Sequence, residues 1–513
     1  MVSVANPILP GCHPDPSVCR AGDWYYLVTS TFEYLPGLPV MRSRDLVRWE
    51  TIGHVVDRAD MLDYAGIASS GGLYAPTIRH HDGLFWVVCT LVDQNDDTRG
   101  GNFLVTATDP AGPWSDPVWL DVDGIDPSLL IDDDGRVWLH GTRLAPDPEH
   151  FHQTEVWVRE YSPAERALIG PEHIVWNGAV RGAVWAEGPH LYRIGAQYYL
   201  LAAEGGTEYH HAVSVARADA VTGPYEGNRA NPVFTHRHLG RGAGVIGAGH
   251  ADLVQAPDGS WQAVMLAMRA ADGHHYPLGR ETFLCPVTWE DGWPVFAPGA
   301  GLLPRQADVP WASEEPPAGS WQPDDRTAGV VAPRDARWTS LRALPGDVTE
   351  AKGDALVLPV RAETLADAGT VAFAGVRQQH ADVDAAAQLA LSELADGESA
   401  GFVVRQSEGD HATVTVTRRG EEFAVVATHR RGGEERVLGA AVTGPAARLG
   451  VRVRGHECAL LADDATLGVV DTRQLSSIAT GGFLGLWLGV FATSHGAAPM
   501  GRAAVESFTY APA

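Results

Sequence analysis

The chain is almost without lysine. Lys352 is the only lysine among 513 residues, and it lies in the C-terminal third. Schiff-base chemistry and a P-loop phosphate site each need a placed lysine, so the sequence argues against both. Acidic residues outnumber basic ones by 64 to 38, for a formal net charge of −26. Phosphate-rich partners demand clustered basic residues, so we expect neither nucleic acid nor an anionic membrane as a partner.

Paired cysteines and long apolar runs are also missing. The five cysteines are scattered without a CxxC pair, so we expect free thiols rather than a zinc site. The first residues, "MVSVANPILPG", contain no basic region followed by an apolar run, and no stretch of about 18 apolar residues occurs anywhere. The sequence therefore predicts a cytoplasmic protein.

What is present is a repeat in the first 300 residues. Five segments share a plan of small or proline-flanked residues, an apolar pair, a polar turn and an aromatic-rich strand. Each has the pattern of a β-hairpin, and the copies recur roughly every 60 residues, as in a β-propeller. We therefore predict an all-β chain that opens with a five-bladed β-propeller. The segments are "HPDPSVCRAGDWYYLVTS", "YAPTIRHHDGLFWVVCT", "IDPSLLIDDDGRVWLHGT", "EGPHLYRIGAQYYLLAAEGG" and "GHADLVQAPDGSWQAVMLAM".

Three acids and a histidine occupy one position of this repeat. Asp15, Asp126 and Glu187 begin the first, third and fourth copies, and His250 lies at the same place in the fifth. The first strand of each propeller blade lines the central axis, so these side chains should converge on one shallow basin. The sequence thus predicts three facing carboxylates.

The backbone at Asp15 has little freedom. It lies between Pro14, whose φ is fixed, and Pro16, which disfavours the helical region for the residue before it. We expect an extended conformation at Asp15 that aims its carboxylate in one direction.

The chain changes character near residue 303. A segment rich in Pro, Asp and Glu follows, and beyond it apolar residues alternate, as in "ATVTVTRRGEEFAVVATHRRGGEERVLGAAV" from Ala412. This alternation favours a β-sandwich. We predict a propeller over residues 1–303, a linker over 304–325 and a sandwich over 326–513.

Three converging carboxylates suit the hydrolysis of glycosidic bonds. The reaction needs an acid for the leaving oxygen and a base or nucleophile on the opposite face of the sugar. A neighbouring negative charge can keep the acid protonated by raising its pKa. Asp15, Asp126 and Glu187 can therefore share water activation, pKa tuning and proton donation, and their positions alone leave the assignment open.

The motifs around these acids resemble those of glycoside hydrolase family 43. "HPDPS" is similar to the general-base motif of that family, "IDPSL" to the motif of its pKa-modulating aspartate, and "WAEGPHLY" to that of its general acid. The resemblance implies a five-bladed propeller and an inverting mechanism, with Asp15 as base, Asp126 as modulator and Glu187 as acid.

The resemblance extends over nearly the whole chain. "NPILPGCHPDPSVCRAGDWYYLVTSTFEYLPGLPV" from Asn6 and "PLGRETFLCPVTWEDGWP" from Pro277 resemble the β-xylosidase branch of the family. "FAGVRQQH" from Phe373 resembles the concanavalin A-like jelly roll that follows the propeller there. The sandwich is either a carbohydrate-binding module or a domain that packs on the propeller and narrows the pocket mouth. We favour the second, because an enzyme for soluble oligosaccharides has little use for a polymer anchor.

Further site residues follow from the same resemblance. Phe32 should wall the pocket of the terminal sugar, Arg280 should hydrogen-bond that sugar, and His250 should lie on the axis beneath the acids. In some relatives this histidine helps to hold a calcium ion, so His250 is a candidate metal ligand and a structural calcium ion on the axis is a candidate cofactor; no cofactor is expected to be required. Tyr74 stands in "YAP" where the family usually has tryptophan, which makes the substrate less certain than the mechanism.

The expected activity is release of xylose from the non-reducing end of small β-1,4-xylooligosaccharides. An α-L-arabinofuranosidase, or an enzyme with both activities, is the alternative within the same mechanism. From other classes, a non-catalytic sugar-binding propeller and a calcium-stabilised structural propeller are the rivals. The sequence leaves open whether the protein forms a homo-oligomer.

Overall fold

The computed structural model describes residues 2–96, 98–240, 242–312 and 329–513. Strands dominate these residues, and the described α-helices are limited to α1 (Pro345–Val348) and α2 (Ser477–Thr480). Single 3₁₀ turns occur at Arg237–Leu239, Asp272–His274 and Thr472–Leu475. The predicted all-β class is confirmed.

The first 24 strands include five antiparallel sheets that follow one another along the chain. They are ordered β2-β3-β5-β6, β7-β9-β10-β11 with β8 also on β9, β12-β13-β14-β15, β16-β17-β18-β19 with β20 also on β18, and β21-β22-β23-β24. In chain order the strands are β1 (Val2–Ala5), β2 (Ser17–Ala21), β3 (Trp24–Val28), β4 (Tyr34–Leu35), β5 (Gly37–Ser43), β6 (Glu50–Val56), β7 (Gly72–Leu73), β8 (Thr77–His81), β9 (Leu84–Val92), β10 (Gly100–Ala107), β11 (Val118–Trp119), β12 (Ile125–Ile131), β13 (Val137–Leu144), β14 (Thr154–Ser162), β15 (Ala167–Trp176), β16 (Glu187–Ile194), β17 (Gln197–Glu204), β18 (Ala212–Ala218), β19 (Glu226–Gly227), β20 (Phe234–Thr235), β21 (Val245–Gln255), β22 (Trp261–Arg269), β23 (Glu281–Glu290) and β24 (Trp293–Phe296).

The repeated hairpins are the innermost strand pairs of these sheets. β2 pairs with β3, β8 with β9, β12 with β13, β16 with β17 and β21 with β22, all antiparallel. The inner strands also contact one another in sequence, β2 with β8, β8 with β12, β12 with β16, β16 with β21, and β21 again with β2. The sheets therefore surround one axis, as the predicted propeller requires.

A buried ion pair ties the inner strands together at the axis. Arg79 on β8 donates to both carboxylate oxygens of Asp252 on β21, at 2.8 and 3.1 Å. Ser17 on β2 and Tyr192 on β16 donate to the same carboxylate at 2.8 and 2.5 Å. Four inner strands thus meet at the Asp252 carboxylate. These contacts fix the relative positions of the strands near the predicted site residues.

The predicted linker begins with a strand. β25 (Gln306–Val309) pairs with β1 and fastens the end of the propeller to its start. Residues 313–325 lie outside the described residues. The limits at 303 and 325 stay predictions.

The C-terminal region is a sandwich of two antiparallel sheets. One sheet has the order β28-β29-β40-β31-β36-β37-β38, with β26 also on β40, and the other has the order β30-β39-β32-β33-β34-β35. Alternate apolar side chains of both sheets, among them Phe402 and Phe508, form the core between them. The strands are β26 (Gly329–Val330), β27 (Ser340–Leu341), β28 (Glu350–Lys352), β29 (Ala355–Pro359), β30 (Ala372–Arg377), β31 (Val383–Ala390), β32 (Ser399–Arg405), β33 (His411–Arg419), β34 (Glu422–Arg431), β35 (Glu434–Thr443), β36 (Ala446–Arg454), β37 (Glu457–Ala462), β38 (Ala465–Asp471), β39 (Trp487–Thr493) and β40 (Arg502–Pro512).

The sandwich packs directly on the propeller. β27 pairs with β4, and the ring of Tyr34 on β4 stacks on Trp487 with centroids 3.9 Å apart. Arg405 forms an ion pair with Glu33 at 3.2 Å, and neither side chain is exposed. Burying two charges costs less when they pair directly, so this contact couples the two domains.

Within the described ranges, no helix has the length and apolar character needed to cross a bilayer.

Candidate active site

All seven residues predicted for the site line one pocket. The pocket encloses about 60 Å³, and its wall is completed by Ala75, Ile125, Thr207, His211 and Phe483. The predicted residues are Asp15, Phe32, Tyr74, Asp126, Glu187, His250 and Arg280. The repeat therefore does bring its first positions together at the axis.

The backbone at these positions is unusual. Asp15 and Asp126 have φ of +54° and His250 has φ of +48°, in the left-handed region that costs ordinary residues about 1–2 kcal/mol. The pairing register shifts around Asp126, directly after Glu187, and on both sides of Gly249. Such irregularities redirect a side chain out of the regular alternation of a strand, here toward the axis.

The expectation that Asp15 is extended is wrong. Its φ is positive despite the following proline. Tertiary contacts outweigh the local preference, because Ser30 donates from its backbone N to Pro14 O at 3.2 Å and from its hydroxyl to Asp15 Oδ2 at 2.6 Å. The carboxylate is still held in one direction, by these contacts rather than by an extended backbone.

Asp15 is bound on both oxygens. Arg280 donates from Nη1 to Oδ1 at 3.0 Å, opposite the bond from Ser30 to Oδ2. His250 Nδ1 lies 3.5 Å from the same Oδ1. A carboxylate fixed in this way can accept the proton of a water molecule along one line.

Asp126 interacts electrostatically with both of the other acids in the pocket. Its Oδ2 accepts a hydrogen bond from the backbone N of Gly188 at 3.0 Å. Burial raises the pKa of Asp126, His250 opposes that rise, and the charge of Asp15 adds to it. Asp126 is thereby attached to the residue that follows Glu187 in the chain.

Glu187 is the acid with the most strongly perturbed environment of the three. Burial, followed by the charges of Asp126 and Asp15, raises the pKa of Glu187 well above its ordinary value, and Arg280 opposes the rise. Within the described part of the chain its carboxyl has no hydrogen-bond partner, although it lines the pocket. A raised pKa favours the protonated form of the carboxyl, which can give its proton to a group in the pocket.

Three aromatic rings form the apolar wall. Phe32 and Tyr74 meet edge to face with centroids 5.5 Å apart, and the hydroxyl of Tyr74 accepts a hydrogen bond from Gln94 at 2.9 Å. Phe483 comes from the sandwich, stacks on Phe32 at 5.9 Å and meets Tyr74 at 5.8 Å. The sandwich therefore narrows this pocket.

Phe483 was missed by sequence reasoning, and so were Thr207 and His211. Phe483 lies in a different domain and in no repeat, so no sequence signal connects it with Phe32. Thr207 accepts a hydrogen bond from Arg280 Nη1 at 3.0 Å. Thr207 and His211 follow β17, the partner of the strand that begins with Glu187, and this position in the repeat was an available signal.

His250 was also a candidate calcium ligand. Its ring faces Gly188, where a Cβ would lie 2.9 Å from the imidazole, so only glycine fits there. Calcium takes six to eight oxygen ligands. Among the residues that the structure describes, no group of three or more His, Cys, Asp or Glu side chains could hold a metal ion. The calcium ion on the axis and the metal role of His250 stay predictions.

Comparison with known proteins covers both domains. Residues 4–294 match the family model described as glycosyl hydrolases family 43, and residues 332–511 match that of the β-xylosidase C-terminal concanavalin A-like domain. A xylosidase/arabinosidase of Butyrivibrio fibrisolvens is 38% identical over 524 residues, covering 97% of each chain. A non-reducing end α-L-arabinofuranosidase of Bacteroides ovatus is 36% identical over 532 residues, covering 98% of this chain and 94% of the relative.

Solved structures are also similar to this chain over both domains. A xylan β-1,4-xylosidase of Bacillus halodurans superposes with a TM-score of 0.90 at 32% identity, covering 99% of this chain and 100% of the other. A family 43 protein of Bacillus licheniformis superposes with a TM-score of 0.89 at 28% identity, covering 100% of both chains. The predicted propeller and concanavalin A-like sandwich are confirmed as the fold class.

Proposed function

The chain belongs to glycoside hydrolase family 43, and from that premise we propose that it is an inverting exo-glycosidase that releases xylose from the non-reducing end of β-1,4-xylooligosaccharides. One observation supports this most directly. Three carboxyl groups from three sheets line one pocket, and the environment raises the pKa of Glu187 well above its ordinary value. Two carboxyl groups with different protonation states are what an acid and base pair requires.

The residues act in a single displacement. Asp15 takes a proton from a water molecule as the water oxygen forms a bond to the anomeric carbon. The glycosidic bond breaks on the opposite face, and Glu187 gives its proton to the leaving oxygen. Asp126 holds Gly188 and, through its charge, favours the protonated form of Glu187. Attack opposite to the leaving group inverts the configuration at the anomeric carbon.

The shape of the pocket supports exo action. Phe32, Tyr74 and Phe483 line it together with the three carboxyl groups. A pocket of this kind takes the terminal ring of a chain rather than an internal one. Arg280 lies against the faces of Phe32 and Phe483, at 5.5 and 5.4 Å, and one of its nitrogens already bonds Asp15. We propose that its other donors bind hydroxyl groups of the terminal sugar.

An α-L-arabinofuranosidase is the second candidate. The hydroxyl of Tyr74, fixed by Gln94, adds a polar group to a wall that the family usually builds with tryptophan. The full-length relatives named above include an arabinofuranosidase and a xylosidase/arabinosidase. The same three carboxyl groups would perform that reaction.

Paired nitrophenyl substrates test the proposal. The wild type is expected to cleave the β-D-xylopyranoside faster than the α-L-arabinofuranoside, and folded Asp15→Ala and Glu187→Ala variants should lose about 10²–10⁴-fold in kcat/KM. Asp258→Ala, in an exposed turn between β21 and β22, is the matched control. Faster cleavage of the arabinoside would mean that the protein is an α-L-arabinofuranosidase rather than a xylosidase. Cleavage of neither by the wild type would favour a sugar-binding propeller without catalysis.

Cofactor, location and assembly complete the proposal. We propose that no cofactor is required and that the protein acts in the cytoplasm on small oligosaccharides. Dialysis against EDTA should leave kcat unchanged, whereas loss of activity that calcium restores would assign a metal. Sedimentation analysis tests whether a homo-oligomer forms.

A further inference from the structure

A second and larger cavity lies between the propeller and the sandwich. It encloses about 360 Å³, within the range of small-molecule sites, compared with about 60 Å³ for the catalytic pocket. Its polar lining comes from both domains: His13, Thr51 and His54 from the propeller, and Arg377, Gln379 and Tyr510 from the sandwich. None of these residues takes part in the proposed reaction.

The cavity contains a cation without a counter-charge. Arg377 uses Nε to donate to the carbonyl of Cys12 at 2.8 Å, and its guanidinium lies 5.5 Å from the ring of Trp487. Its two Nη nitrogens have no protein partner among the described residues, and no described carboxylate lies within ion-pair distance. Arg377 is partly exposed, and the reduced hydration of its guanidinium lowers its pKa. A guanidinium that lines a cleft and lacks an ion-pair partner gains a charge-assisted hydrogen bond when an anion pairs with it.

The other charges around the cavity are already neutralised. Glu50 accepts from Arg42 at 3.1 Å, and Arg337 binds Asp335 at 2.7 Å. Burial and then the charge of Arg377 lower the pKa of His54 to about 4, and the same two causes hold the pKa of His13 well below its ordinary value. At neutral pH Arg377 is therefore the one formal charge of this lining that lacks a partner in the described structure.

The remaining surface determines what kind of anion fits. The side chains of Pro39, Met41 and Val376 give the cavity an apolar wall. Thr51, His54 and the Gln379 amide have no side-chain hydrogen bond within the described residues, so they are available to hydroxyl groups. A single guanidinium matches one carboxylate through two parallel hydrogen bonds, and it neutralises only one of the two charges of a phosphate dianion.

We propose that this inter-domain cavity binds a small organic carboxylate of monosaccharide size, of the sugar-acid class, with its carboxylate on Arg377 and its hydroxyl groups toward Thr51, His54 and Gln379. The site is separate from the catalytic pocket and does not depend on the proposed reaction.

Isothermal titration of the full-length protein with sodium D-glucuronate tests the proposal. The wild type should bind one equivalent, and Arg377→Gln should weaken binding at least about tenfold, because a charge-assisted pair is lost. Arg280→Gln, which removes the arginine of the catalytic pocket, should leave binding unchanged. Inorganic phosphate and neutral D-glucose, titrated in the same way, should bind at least about tenfold more weakly than glucuronate.

A second variant tests the proposal even if Arg377→Gln does not fold. His54→Trp fills the cavity from the propeller side without touching the bond from Arg377 to Cys12, and it should also abolish glucuronate binding. The proposal is overturned if the wild type does not bind glucuronate, if both cavity variants bind it as the wild type does, or if Arg280→Gln is the variant that loses binding. Tighter binding of phosphate would overturn the sugar-acid class.

Discussion

Replacing Phe483 with alanine tests whether the sandwich shapes the catalytic pocket. This ring reaches the pocket from the C-terminal domain, stacks on Phe32 at 5.9 Å, meets Tyr74 at 5.8 Å and lies beneath the guanidinium of Arg280 at 5.4 Å. Phe483→Ala removes all of these contacts and opens one side of the pocket. The catalytic carboxyl groups are not changed.

The contacts set the expected size of the effect. An aromatic pair contributes about 0.5–1.5 kcal/mol, and an exposed cation–π contact contributes about 0.5–1 kcal/mol. Phe483 makes two aromatic pairs and one cation–π contact. Because it is partly exposed, we take the lower half of the range for these three contacts together, about 1.5–2.5 kcal/mol. If these contacts contribute this free energy to binding of the sugar in the transition state, kcat/KM should fall about 10- to 60-fold.

The assay is steady-state hydrolysis of the nitrophenyl xyloside by the wild type and two variants. Phe483→Leu, which keeps an apolar side chain, should lose about fivefold or less. Circular dichroism should show the same fold for all three proteins. A kcat/KM within twofold of the wild type for folded Phe483→Ala would refute the idea that the sandwich forms part of the pocket.

The remaining predictions concern proton transfer and the domain interface. Since the charge of Asp126 helps to raise the pKa of Glu187, and activity falls as pH rises through that pKa, Asp126→Asn should move the basic limb of the kcat/KM profile to lower pH. A basic limb that stays in place or moves to higher pH would contradict the assignment. Arg405→Ala leaves Glu33 buried without its ion pair and should lower the free energy of unfolding by about 3–5 kcal/mol in urea denaturation. The exposed Arg20→Ala serves as its control, and a loss of less than about 1 kcal/mol for Arg405→Ala would show that the pair does not hold the domains together.

The repeat made much of the site predictable. Each hairpin is local, so its strands follow from alternation and turn residues, and the inner position of every hairpin is fixed by the propeller arrangement. For this reason the sequence alone predicts that Asp15, Asp126, Glu187 and His250 share one basin. The resemblance to family 43 added Phe32, Tyr74 and Arg280, and all seven line the same pocket.

What could not be predicted depends on contacts between distant parts of the chain. Phe483 is 451 residues from Phe32, and no periodicity links them. The ion pair of Arg405 with Glu33 likewise joins two domains whose patterns are independent. At Asp15 the local preference pointed the wrong way, because hydrogen bonds from Ser30 and Arg280 stabilise a left-handed backbone that the proline alone would disfavour.

The configuration of the first sugar released tests the central claim most directly. Proton NMR during early hydrolysis of a β-xyloside, before mutarotation, distinguishes the two anomers of the product. A single displacement with Asp15 as base and Glu187 as acid predicts that α-xylose appears first. Initial release of β-xylose would mean retention through a covalent intermediate and would contradict the roles assigned to these carboxyl groups.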